Sequence, residues 1–346
     1  MSGKPNRKES YGFINLIAIV ASFAVIVIIL SVLLAKFIID KSSEPGSEQS
    51  SVPADVSSDT SDTQPYDPSS GNPDESTDIP EDSSAEAEDP YKLVILEPED
   101  VHKGSLIVVN DAYRFDFDSN PTVASQVNIY KSRTSKTFGV RDSDITINRV
   151  TMTYMQELLN ALSAYTGSTA LTVTTGFRSY EEQKKLFDGG KDSDAPGASD
   201  LNTGFSFKCT VYPSSAGKLG EGKFQWLDEN CMFYGFVKRY PEGKKGLTGH
   251  DANGSLFRYV GIPHAYLIYV NNYCLEEYLD FCRRFSYDSK YYTTCDGIDY
   301  AIYYVPANTS EITQIKVPEN VEYDISGDNI GGFVVTLTLG GGIPET

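Results

Sequence analysis

Three hydrophobicity patterns follow one another along the chain. Residues 13–35 are uncharged and mostly apolar for 23 positions, where about 20 suffice for a helix to cross the hydrocarbon core of a bilayer. The span is read as residues 13–39, behind a basic tail at 1–12. Residues 40–90 then turn to Ser, Asp, Glu and Pro with almost no bulky apolar side chains. Such a stretch buries too little surface to offset the entropy of ordering it, and a disordered acidic linker is expected. From 91 to 346 the short periodic patterns of a folded domain begin.

In that third region LIVVN at 106–110 predicts a short strand. Met152, Met155, Leu158, Leu159 and Leu162 recur at three- and four-residue steps, predicting a helix over 148–165 that Gly167 stops. ALTVTTGF at 170–177 is rich in β-branched residues and predicts a strand. Ser179 is placed to cap a helix beginning YEEQKKLF, with Glu181 and Glu182 in its first turn, where the helix dipole favours acids. After a loop marked by Gly189-Gly190 and DSDAPG, TGFSFKCTVYP alternates as a strand does. Stretches 224–233 and 275–285 read as helices, 236–240 and 256–261 as strands, and the last sixty residues are β-rich. Helices gathered early and strands late predict an α+β fold, with helices on a mostly antiparallel sheet. No internal repeat and no glycine-rich phosphate loop is visible.

Charge changes the picture of partners. The 346-residue chain carries a formal −19, but residues 41–90 hold fourteen acidic residues against one lysine and residues 1–40 carry about +2, leaving about −8 for the folded region. With no long basic run beyond the first residues, a nucleic-acid partner is not expected. Lys4, Arg7 and Lys8 precede the apolar span and only Lys36 follows closely. The positive-inside tendency therefore places the N-terminus in the cytoplasm and the C-terminal domain outside the cell membrane. A cleaved signal peptide would have an apolar core of about 7–15 residues, so the longer span favours a single-pass anchor. Cys209, Cys231, Cys274, Cys282 and Cys295 all fall on the external side. One or two disulfides, or buried free thiols acting as small hydrophobes, both fit, and the spacings match no zinc knuckle.

Three blocks carry a resemblance: TGFRSYEEQ at 175–183, PGASDLNTGFSFK at 196–208, and WLDENCMFYGFVKRYPEGKKGLTGHDANGSLFRYVG at 226–261. Their order and intervals resemble the VanY-type D-alanyl-D-alanine carboxypeptidases, zinc peptidases that trim peptidoglycan stem peptides. The likeness extends through LEEYL at 275–279 and EYDISGDNIGGF at 322–333, covering most of residues 104–340. The family usually reads S-E-H-Q-T-G-L-A-x-D in the second block, with His and Asp binding zinc. Here those positions are Leu201 and Lys208. In the third block the family's T-G-x-x-x-E-P-W-H-x-R-Y-V-G supplies the general base and the third zinc ligand. Those positions are Asn253 and Leu256, between an intact Thr248-Gly249 and an intact Arg258-Tyr259-Val260-Gly261.

A catalytic zinc needs three N, O or S donors and an open position for the water it activates. Leucine offers no lone pair. An ammonium in place of a carboxylate repels a dication by about 8 kcal/mol at ~4 Å and an effective dielectric near 20. Asn253 can hydrogen-bond a water but cannot take its proton. No cofactor is therefore expected, although zinc is expected for the family. A relocated site could draw on His250, Asp251 and Cys209, but His250 and Asp251 would face opposite sides in a strand. No G-x-S-x-G turn supports a serine triad. His264, after Pro263, reads as structural and His102 as a surface residue.

The resemblance implies that Arg178, Gln183 and Ser199 line the substrate groove, a guanidinium suiting a carboxylate by its two-pronged geometry. Alternatively Arg178 pairs with a nearby carboxylate and Ser199 caps a turn. Tyr266, Tyr269, Tyr273 and Tyr278, with Tyr291 and Tyr292, fit packing better than sugar stacking. The expected protein is a membrane-anchored, wall-facing pseudoenzyme that binds peptidoglycan stem peptides or a cell-envelope protein. The alternatives are an active carboxypeptidase with a rebuilt site and a purely scaffolding ectodomain.

Overall fold

A computed structural model describes residues 90–340. The expected transmembrane helix and almost all of the linker lie outside the described residues. Among the described residues no helix is long and apolar enough to cross a membrane.

The strands are β1 (Tyr91–Leu96), β2 (Gln126–Asn128), β3 (Gly139–Val140), β4 (Thr146–Asn148), β5 (Leu171–Thr175), β6 (Ser206–Val211), β7 (Phe236–Tyr240), β8 (Asn253–Tyr259), β9 (Tyr291–Cys295), β10 (Ile298–Pro306), β11 (Thr313–Pro318), β12 (Glu322–Gly327) and β13 (Gly332–Gly340). The longer helices are α1 (Arg149–Thr166), α2 (Tyr180–Asp188), α3 (Ile262–Val270) and α4 (Leu275–Cys282). A five-stranded sheet has the order β3-β5-β6-β8-β7, and a four-stranded one the order β12-β13-β10-β9. Among the described residues only the β3–β5 pair is parallel. The α+β, mostly antiparallel expectation holds.

Local chemistry explains the elements nearest the site. Asn148 caps α1 by accepting from the Val150 amide at 2.9 Å, and Gly167 closes it in the left-handed region at φ 63°. The α1 stripe Met152, Met155, Leu158, Leu159 and Leu162 packs with Phe207, Phe257 and Tyr259 of the five-stranded sheet and with Phe205 just before β6. Ser179 and Glu182 form a reciprocal capping box at the start of α2. Gly176 is required between β5 and α2, because a Cβ there would sit 2.2 Å from the Thr146 carbonyl oxygen.

One local expectation is corrected. LIVVN forms no strand: Leu106, Ile107, Val108 and Val109 are fully buried, but partners outside a ladder satisfy their backbone. The Leu106 amide donates to Ser326 Oγ, Val108 to the Asp328 carbonyl, and the Ile107 carbonyl accepts from Arg258. An apolar run reports burial and does not by itself report pairing. The helix read at 224–233 is present as an unbroken helical run of mixed pitch, a 3-10 turn at Gly222–Gln225, an α-turn at Trp226–Asn230 and a 3-10 turn at Cys231–Tyr234, which Gly235 ends in the left-handed region at φ 78°. All five cysteines are buried and free, and the disulfide alternative is not realised.

His264 is buried between Tyr278 Oη, 2.6 Å from Nδ1, and Thr336 Oγ1, 3.0 Å from Nε2, tying α3 to α4 and β13. Burial pushes its pKa down to about 3. An unfolded histidine titrates near 6.5, so the stability contributed by the neutral ring is fully present above that pH. It is lost as pH falls toward the folded value, because the unfolded chain binds a proton that the folded one refuses. Urea unfolding of wild type between pH 7 and 4 should show a slope steeper than that of His264→Gln by up to about 1.4 kcal/mol per pH unit. Equal slopes would mean the ring titrates freely in the fold.

Candidate functional site

The site lies on the face of the five-stranded sheet opposite α1. Strand alternation decides which residues reach it. In the β6–β8 register Ser206 faces Arg258 and Lys208 faces Leu256, so these four share one face while Phe207 and Phe257 point into the α1 core. Cys209 belongs to that core as well, which removes it from any rebuilt metal cluster with His250.

Beneath the site is a buried charge network. Asp200 Oδ1 accepts from Arg239 Nε at 2.8 Å and Arg258 Nη1 at 2.6 Å, and its other oxygen accepts from the Ser206 hydroxyl. Arg239 makes a two-pronged pair with Glu276 of α4 at 2.8 and 3.1 Å. Arg258 also donates to the Ser105 and Ile107 carbonyls. The side chains of Asp200, Arg239 and Arg258 are at most 1% exposed. Burial alone would raise the Asp200 pKa, but Arg258 and Arg239 outweigh it and hold the carboxyl below its usual range. Sequence reasoning missed this network. The signal was there in charges at positions of otherwise apolar strands, FVKRY and LFRYV.

Above the network is a cavity of about 270 Å³, lined by residues that include Asp192, Asp194, Ser199, Leu201, Lys208, Tyr240, His250, Asn253 and Leu256. The structure thus brings together all four positions matched to the family's metal ligands and base. Leu201 and Leu256 pack on Tyr240 as a small apolar cluster. The Asn253 carboxamide oxygen accepts from the Ser255 amide at 3.0 Å and its hydroxyl at 2.8 Å, so it serves a local turn. Gly204 closes the turn at 200–203 with φ 73°, and a Cβ there would strike Gln126.

Lys208 is half-buried and makes no side-chain hydrogen bond or ion pair among the described residues. Burial and the neighbouring Arg178 lower its pKa, against the pull of Asp192 and Asp194. Asp194 is pushed the other way, above the usual carboxylate range, by burial and by Asp192. His250 Nε2 stands 3.8 Å from Asp194 Oδ1, too far for a hydrogen bond. The His250 and Tyr240 rings are 4.2 Å apart. Both His250 Nε2 and Tyr240 Oη are buried without a hydrogen-bond partner.

Of the residues expected in the groove, Ser199 lines the cavity directly. Arg178 Nη1 is bound to Asp192 at 2.5 Å and to Gln183 Oε1 at 3.1 Å. Gln183 is fully buried and donates to the Asp194 carbonyl at 2.7 Å. Both therefore shape the 192–194 loop that forms one wall. Ser199 begins the 200–203 turn but its side chain makes no cap bond.

These residues do not fit a zinc ion. The positions that should donate carry two leucines with no lone pair and an ammonium of like charge. Among the described residues no three His, Cys, Asp or Glu side chains gather so as to hold a metal. Asp251, the other residue considered for a rebuilt site, is exposed and paired with Lys245 at 2.8 Å.

Comparison with known proteins places this cavity in context. Residues 144–262 match the VanY family, described as D-alanyl-D-alanine carboxypeptidase. A D-alanyl-D-alanine carboxypeptidase of Enterococcus faecium is 31% identical over 262 residues, 75% of this chain and 83% of that protein. One from Enterococcus faecalis is 31% identical over 146 residues, 37% of this chain and 53% of its own length. The fold is also similar to the crystal structure of the vancomycin-resistance D,D-dipeptidase VanXYg in complex with a D-Ala-D-Ala phosphinate analogue. There the TM-score is 0.62 at 29% identity, covering 72% of this chain and 99% of that one.

Proposed function

Since the chain belongs to the VanY family of D-alanyl-D-alanine carboxypeptidases, we propose that it is a member that has given up zinc hydrolysis and kept the peptide-binding groove. The observation that carries this reading is the convergence of Leu201, Lys208, Asn253 and Leu256 on one cavity, where they supply no donor set for the metal and no base. Ser199 meets the ligand at the cavity wall, while Arg178 and Gln183 hold the 192–194 loop in place for it. The ligand is the C-terminal part of a peptidoglycan stem peptide, the class of substrate implied by the family. The apolar span at 13–39, the basic residues before it and the acidic linker after it support a membrane-tethered protein whose C-terminal domain faces the wall.

The purified protein should contain far less than one zinc per chain and release no D-alanine from a stem pentapeptide. Stoichiometric metal together with turnover would show an active enzyme with a rebuilt site.

A further inference from the structure

The cavity holds one lysine, Lys208, that makes no direct ion pair, although Asp192 and Asp194 are near enough to attract it. Among the described residues, Arg178 is paired with Asp192, Arg239 with Asp200 and Glu276, Arg258 with Asp200, and Lys245 with Asp251. Lys208 lines the cavity and makes no hydrogen bond or ion pair with the carboxylates that attract it, Asp192 and Asp194. A second, independent observation lies beside it. Tyr240 is 6% exposed, its hydroxyl is buried and unpartnered, and it too lines the cavity. His250 Nε2 is likewise unsatisfied. Buried polar groups are rarely left without a hydrogen bond, so a half-buried ammonium, a phenol and an imidazole nitrogen around one small cavity describe a site built for an occupant.

We infer that Lys208 stands in for the lost metal as the cation of this pocket, its ammonium receiving the C-terminal carboxylate of the bound peptide while Tyr240 Oη and His250 Nε2 complete the cradle. This rests on the peptide-binding reading above and adds to it the atom that anchors the ligand. Arg178, the obvious candidate from sequence, is engaged by Asp192 and Gln183, which leaves Lys208 as the unpaired positive charge. Asp194, which also lines the cavity, narrows the ligand class. The Asp194 carboxylate is an acceptor with no use for a phosphate or sulfate, which carry no N–H, whereas a terminal amino-acid residue brings an amide N–H a few ångströms from its carboxylate that Asp194 can receive while Lys208 takes the charge. A volume of about 270 Å³ suits the end of a peptide rather than a whole stem, being near the small end of ligand pockets.

Calorimetric titration of the full chain in detergent micelles tests this, using a stem pentapeptide and the same peptide with its C-terminus amidated. Wild type should bind the free acid at least tenfold more tightly than the amide, since charge-assisted hydrogen bonds are the strong ones. In Lys208→Met the acid should bind at least tenfold more weakly and the preference for acid over amide should disappear, as coupling between the two changes requires. Tyr240→Phe should weaken the acid several-fold. Removing an unpaired ammonium should leave the unfolding midpoint of Lys208→Met no lower than wild type, and Lys208→Gln provides a second variant if it does. Wild type binding acid and amide equally, or a preference that survives in Lys208→Met, would overturn the role of Lys208 while leaving peptide binding intact. Failure of wild type to bind either peptide would overturn the peptide-binding reading and this inference with it.

Discussion

Asp200→Ala is expected to lower the unfolding free energy by about 3–5 kcal/mol, the cost of leaving a buried charge without its partner. Arg239 would keep Glu276, but Arg258 would face only backbone carbonyls in a site sealed from water. The damage would spread because the network joins β7, β8, the 200–203 turn and α4. Urea unfolding should show a midpoint shift at unchanged slope. Asp200→Leu combined with Arg258→Met should cost less than Asp200→Leu alone, because removing both members of a buried pair avoids the orphaned charge. The Asp200 pKa is depressed in the fold, so its contribution is present above the unfolded carboxyl pKa of about 3.9 and is lost as pH falls through the lower folded value. A loss below about 1 kcal/mol in Asp200→Ala would mean that water reaches the arginines and the network is not sealed.

The second large effect is a gain. Reversing all four positions, Leu201→His, Lys208→Asp, Asn253→Glu and Leu256→His, should raise the zinc content from near zero to about one per chain. Three donors and an open position are what a catalytic zinc requires. The backbone that would carry them is in place, with Leu256 opposite Lys208 across β6 and β8 and Leu201 packed beside Leu256 on Tyr240. Lys208→Asp alone should not suffice, since one carboxylate among leucines is not a metal site. Elemental analysis of the dialysed protein reads the result, with a thermal rise on adding zinc as a second readout. A folded fourfold variant that takes up no zinc would mean that these positions no longer converge as a metal cage does.

Much of the fold was legible because local signals agreed. The α1 stripe, Gly167, the Ser179 cap and the alternation of β6 each depend on neighbours in sequence, and each appears where those neighbours place it. LIVVN misled because apolarity reports burial, while its hydrogen-bond partners Ser326, Asp328 and Arg258 come from distant parts of the chain. The same distinction holds at the site. The loss of lone pairs at Leu201 and Leu256 and of the carboxylate at Lys208 can be read letter by letter against the family's pattern. That Arg178 is paired with Asp192 and that Asp200 holds two arginines are facts about residues 14 to 58 positions apart, and that Tyr240 and His250 are left unsatisfied depends on what the whole fold brings near them.

The sequence by itself determined the chemistry available: which donors are missing, which elements form, and which family the blocks resemble. Only the tertiary structure decided which charges are neutralised and which remain free. Pairing in a buried site depends on distance and desolvation, and both arise when strands far apart in sequence are laid side by side.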